Sequence, residues 1–192
     1  MTWARSGDFR KTELANGARL FWASASRFKT TLAVAYLRSP LRVEDATKTA
    51  LAAFVLRRGC RALPSELQLR RKLESMYGAT LDFSLSRSGA DQVVAWEMEV
   101  PCERFLPGRR PVPGGGLLRE AFGILGAVLT DPVLERWGFR RAIVAQEKAK
   151  LASILASQAD SKDRLAYDEC RKGMALGGPW AVNPYGDAER LK

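Results

Sequence analysis

The chain has 192 residues, enough for one sizeable domain with a hydrophobic core of its own. Hydrophobic residues at 46% and charged residues at 27% are ordinary for a folded soluble protein, whereas 31 Lys and Arg against 21 Asp and Glu leave a formal net charge of +10. The complete absence of histidine excludes a Ser-His-Asp triad and any histidine-based metal site.

Three cysteines, Cys60, Cys102 and Cys170, have no paired spacing, which argues against a disulfide framework and for a reducing, cytoplasmic compartment. No stretch reaches the roughly 18 uncharged apolar residues of a membrane span. Residues 1–8 contain no signal-peptide core, so no membrane partner is expected.

Asn16-Gly17 is a two-residue hairpin signal, flanked by strand-like residues 11–14 and 18–24. Residues 30–37 alternate as a third strand, with Leu32, Val34 and Tyr36 on one face and Pro40 closing it. Over residues 44–58 the period changes. Thr47, Ala50, Leu51, Phe54 and Val55 fall on one face of a helix, and Gly59 supplies its stop. Pro64-Ser65-Glu66 opens a second helix capped by Ser65, with Leu69, Leu73, Met76 and Tyr77 inward and Gly78 at its end.

Residues 79–87 and 91–100 form a hairpin around Ser88-Gly89-Ala90. Ala79, Leu81, Phe83 and Leu85 share one face of the first strand, and Val94, Trp96, Met98 and Val100 one face of the second. Residues 107–116, with three prolines and four glycines, read as a loop. Gly114-Gly115-Gly116 in that loop lacks the following Lys-Ser/Thr of a phosphate-binding turn. Helices are predicted over 117–129, 135–159 and 162–174, then an irregular segment at 177–186 and a helix start at 187–192. The fold class is α+β, a mostly antiparallel sheet backed by helices, in a single domain spanning 1–192.

This order resembles the N-terminal domain of the pitrilysin/insulinase family, zinc peptidases with an inverted His-x-x-Glu-His motif. Asn16-Gly17-Ala18-Arg19-Leu20 is similar to the family's opening hairpin, and Leu56-Arg57-Arg58-Gly59 to the end of its metal helix. Tyr77-Gly78-Ala79-Thr80-Leu81-Asp82 resembles the start of its substrate-side strand, and Val144-Ala145-Gln146-Glu147-Lys148 the helix of the third zinc ligand. The segment 73–79 and Glu147-Lys148 look most like the YfmF-like inactive bacterial branch.

In active members two histidines four apart hold zinc, and the intervening glutamate activates its water. The resemblance puts those positions on Ala50, Ala53 and Phe54, none of which can ligate a metal or move a proton. Glu147 matches the third ligand best. It also falls among Ile143, Leu151 and Ile154 on the apolar arc of its own helix, so its carboxylate needs a partner, such as Arg57 or Arg58. The implied protein is noncatalytic and holds neither metal nor cofactor. It either pairs with an active homologous peptidase subunit around a chamber or holds an extended peptide by strand addition at Leu81, Asp82, Phe83 and Ser84. Phe83 is expected to point into the core.

The alternative is a basic nucleic-acid-associated α/β module. The clusters Arg57-Arg58, Arg70-Arg71-Lys72, Arg109-Arg110 and Arg140-Arg141 sit at helix ends or loops without interleaved aromatics, so nucleic acid is not the expected partner. Family domains end by returning a strand to the sheet. Nothing after residue 100 alternates well enough to supply it, so the chain is expected to be truncated at its C-terminus and to self-associate.

Overall fold

The computed structural model describes residues 9–25, 27–108, 116–136, 138–175 and 177–191. Most of the glycine-rich loop expected at 107–116, with Arg109 and Arg110, lies outside these residues. Asn16-Gly17 does form the first turn: the Asn16 side chain accepts the Ala18 N–H at 3.1 Å, and Gly17 takes φ +79°. The turn joins β1 (Arg10–Glu13) to β2 (Arg19–Trp22) as a separate two-stranded ribbon, every residue of which is exposed.

The main sheet has the antiparallel order β3-β5-β4, from β3 (Thr30–Pro40), β4 (Thr80–Ser88) and β5 (Asp91–Pro101). β3 runs three residues further than its alternation predicted. It includes Pro40, whose missing N–H is tolerated at the end of an edge strand. β5, in the centre, buries Val94, Trp96, Met98 and Val100 on the face that β4 shares through Leu85. Leu32 and Tyr36 lie exposed on the opposite face.

Between strands come α1 (Val43–Leu56) and α2 (Glu66–Ser75), and after them α3 (Gly116–Thr130), α4 (Arg141–Asp160) and α5 (Lys162–Ala175). Ser65 caps α2 by accepting the Gln68 N–H, as its position predicted. Glu103 does the same for α3 at the Leu117 N–H, at 2.9 Å. Ala50 and Phe54 of α1, Leu69 and Leu73 of α2, Ala121 and Val128 of α3, and Leu151 and Leu155 of α4 join the buried face of the sheet in one core.

Three expectations need correction. Tyr77 is not on the inner face of α2. The chain leaves the helix at Met76, then Tyr77 and Gly78 both take positive φ (60° and 76°), which turns the Tyr77 ring outward. Residues 135, 136 and 138–140 are not helical. Leu134–Glu135 and Gly138–Phe139 (β6 and β7) pair as a miniature hairpin, and Gly138 at φ +125° cannot continue a helix. The final segment makes a 3₁₀ turn, Ala188–Leu191, whose Leu191 is buried in the core. It is held against α1 because the Thr47 hydroxyl accepts the Asp187 N–H at 3.0 Å, and Gly186 lies so near Thr47 that a Cβ there would be 2.2 Å from its oxygen.

Candidate functional site

The end of α1 positions the site. Gly59 takes φ +145°, and a Cβ on it would lie 2.3 Å from the Leu63 carbonyl oxygen, so only glycine permits this turn. Just before it, Arg57 and Arg58 diverge: Arg57 reaches β4 and Arg58 reaches α4.

Arg58 is the hub of an ion-pair network. Its Nε donates to Glu147 Oε1, its Nη1 to Glu66 Oε2 at 2.6 Å and its Nη2 to Gln146 Oε1 at 3.2 Å. Glu66 also accepts from Arg70 at 3.1 Å. The Glu147 side chain is 1% exposed, so the partner its helix position demanded is Arg58. Its second oxygen, Oε2, is buried without a hydrogen-bond partner. Burial works against the Arg58 charge, but hydrogen bonding and attraction from Glu147, then Glu66, outweigh it and hold the guanidinium pKa above its usual value. Burial likewise raises the Glu66 carboxyl, while the charges of Arg58, Arg70 and Arg57 pull it below the usual carboxylate range.

One turn back along α1, Lys150 of α4 stands over the Phe54 ring, 5.6 Å from its centroid. The Arg58–Glu147 and Phe54–Lys150 contacts therefore run in opposite chain directions along two antiparallel helices. Ala50 and Ala53 are buried, and Phe54 is 6% exposed. Phe54 meets Phe83 edge-on at 4.9 Å, and Phe83 lies 5.2 Å from Trp96. Phe83 thus points into the core as its alternation predicted. Phe54 and Glu147 both lie at the α1–α4 contact, Phe83 meets Phe54 from β4, and Ala50 and Ala53 are packed in the same core. Among the described residues, no three His, Cys, Asp or Glu side chains gather as metal ligands.

Leu81, Asp82, Phe83 and Ser84 lie on β4, an edge of the sheet among the described residues. Leu81 and Phe83 are half-buried, and Asp82 and Ser84 are exposed. Asp82 Oδ1 accepts the Phe83 backbone N–H at 2.9 Å and lies 3.8 Å from Arg57 Nη1. Sequence reasoning missed both this bond and the roles of Glu66 and Gln146. The only prior signal for Glu66 was an acidic residue in the first turn of a capped helix.

Several of the clustered basic residues are paired locally, although the net charge of +10 remains. Arg61 pairs with Asp131 at 3.0 Å, Lys72 with Glu120, and Arg57, Arg58 and Arg70 with the acids above. No described helix is long and apolar enough to cross a membrane.

No family model matches the chain. It is 29% identical over 163 residues to the probable inactive metalloprotease YmfF of Bacillus subtilis, a match covering 85% of this chain and 37% of that protein. A conserved protein from Enterococcus faecalis V583 superposes with a TM-score of 0.85 at 19% identity, covering 96% of this chain and 42% of the other. The peptidase M16 inactive domain from Pseudomonas fluorescens does so at 0.66 and 15%, covering 96% and 40%. The chain has the α+β fold of pitrilysin-like M16 peptidase domains and resembles their inactive branch. It spans well under half the length of these relatives.

Proposed function

We propose that this chain is a noncatalytic, peptidase-like subunit of the reducing cytoplasm, which assembles with an active homologue and contributes a wall to a peptide-holding chamber. The Arg58–Glu147 pair carries this reading. At the position matched to the third zinc ligand, the carboxylate has its counter-charge from a guanidinium of the same chain. The positions matched to the other catalytic residues are Ala50, Ala53 and Phe54, all packed in the core. One carboxylate already hydrogen-bonded to arginine, beside three apolar side chains, does not fit a tetrahedral zinc site with an activated water. What remains available for function is the surface, including the edge at Leu81, Asp82, Phe83 and Ser84 and the outer sheet face.

The test is metal analysis with a quenched-peptide assay, alone and after mixing with a homologue bearing an intact His-x-x-Glu-His motif. We expect no stoichiometric zinc and no cleavage by this chain, and co-elution with the homologue. Chelator-sensitive cleavage by the isolated chain overturns the noncatalytic reading. Failure to co-elute overturns the partner reading. Binding to nucleic acid is the weaker alternative because so many basic groups are held by local carboxylates.

A further inference from the structure

We propose that Asp82 closes the β4 edge to strand addition by occupying the backbone donor an incoming peptide must use. This rests on the reading of the chain as a peptide-holding subunit and adds a control element to that surface.

In an antiparallel ladder, facing pairs alternate between those that exchange two backbone hydrogen bonds and those that exchange none. The Phe83 N–H bonds to the Asp82 carboxylate and therefore points away from β5, which makes Phe83 and Trp96 a non-bonded pair. By the same alternation, Leu81 opposite Met98 and Leu85 opposite Val94 are non-bonded pairs. The outward donors along this stretch are therefore the N–H groups of Leu81, Phe83 and Leu85. Asp82 takes the middle one.

Two features hold the carboxylate there. Its Oδ1 accepts the amide at 2.9 Å, and the same oxygen faces Arg57 from the end of α1 at 3.8 Å. Arg57 and Asp82 thus straddle the edge from opposite faces of the sheet. Toward Ser88 the strand is tied elsewhere: Arg87 donates to the Trp180 carbonyl at 2.6 Å and stacks on the Trp180 ring. Of the three outward donors, the central one is therefore capped. Edge strands commonly carry charged side chains that prevent unwanted pairing, and here the charge is also bonded to the backbone group it protects. An extended peptide must displace a charge-assisted hydrogen bond before it can form its own.

Asp82 is 73% exposed, so its replacement should leave the fold intact. Wild type, Asp82→Ala, Asp82→Asn and Asp45→Ala are compared, the last removing one distant surface carboxylate. Amide exchange is followed by NMR, and binding by anisotropy of a fluorescein-labelled Glu-Thr-Val-Thr-Val-Thr-Glu peptide. After correction for intrinsic rates, the Phe83 amide should exchange faster in Asp82→Ala and stay protected in Asp82→Asn, which keeps an acceptor oxygen. Asp82→Ala should bind the peptide roughly tenfold more tightly than wild type, the loss of one competing charged hydrogen bond. Asp45→Ala should match wild type in both measurements.

Unchanged Phe83 exchange in Asp82→Ala overturns the cap. A freed amide with no gain in peptide affinity overturns the gating. If that equal binding is measurable, the peptide-holding reading survives without the gate. If neither protein binds, that reading falls with it.

Discussion

Arg57 and Arg58 are neighbours leaving the same helix end, yet they meet carboxylates in opposite settings. Arg58 pairs with Glu147 inside the α1–α4 contact, where the acid is 1% exposed. Arg57 faces Asp82 across the β4 edge at 3.8 Å, with the acid 73% exposed. The buried pair compensates a charge that could not otherwise lie between helices, so removing one partner leaves the other stranded. The exposed pair exchanges with water at little cost, so its effect is on who may approach the edge. Adjacent residues of one type thus do structural work on one side of α1 and interfacial work on the other.

The largest expected effect is on the buried side. Arg58→Met should destabilise by about 3–5 kcal/mol in urea unfolding, because Glu147 is left without its counter-charge. The double variant Arg58→Met/Glu147→Leu should recover most of that loss, since an apolar pair of similar volume replaces a buried ion pair at little net cost. A double variant no more stable than the single one breaks the distinction between the two arginines.

Phe54→Ala should also cost about 3–5 kcal/mol, through the cavity it leaves against Phe83. A loss below about 1 kcal/mol means that the aromatic contact contributes little and that the α1–β4 packing rests on other residues.

Glu66 sharpens the comparison through pH. Its pKa is lowered in the folded protein, so its contribution is fully present above the unfolded carboxylate pKa and is lost as pH falls through the folded value. Glu66→Gln should therefore lower stability at neutral pH, where that contribution is fully present, and flatten the profile below about pH 4.3 so that the variant converges with wild type at the acid end. A profile equally steep in both proteins assigns acid sensitivity to other carboxylates. Partial exposure screens the effect, which places it below the two core substitutions.

Smallest is Arg57→Met, which keeps the packed stem and removes only a pair whose acid is 73% exposed, and it is expected to cost no more than about 1 kcal/mol. A loss as large as that of Arg58→Met would show the two pairs to be energetically alike, contrary to their burial.

Much of the architecture was legible beforehand because it follows from local rules. The period-2 burial of 79–87 and 96–100, the Ser65 cap and the Asn16-Gly17 turn each depend on residues near one another in the chain. The misses come where the deciding geometry is a backbone angle or a distant contact. Apolar spacing placed Tyr77 inward, but positive φ at two successive residues turned it out. Helical periodicity carried through 135–140 until the Gly138 backbone angle stopped it.

For the site, the sequence by itself determined that no histidine could hold a metal, that Ala50, Ala53 and Phe54 follow an apolar helical face, and that Glu147 required a partner. These follow from residue chemistry and helical period, which need no third dimension. Only the tertiary structure decided which arginine answers Glu147, because the two candidates are adjacent and the turn at Gly59 sends them to different elements. It alone decided that Asp82 bonds the Phe83 amide. An edge strand's free donors are defined by which neighbour it has and which it lacks, and strand order is a property of the assembled sheet.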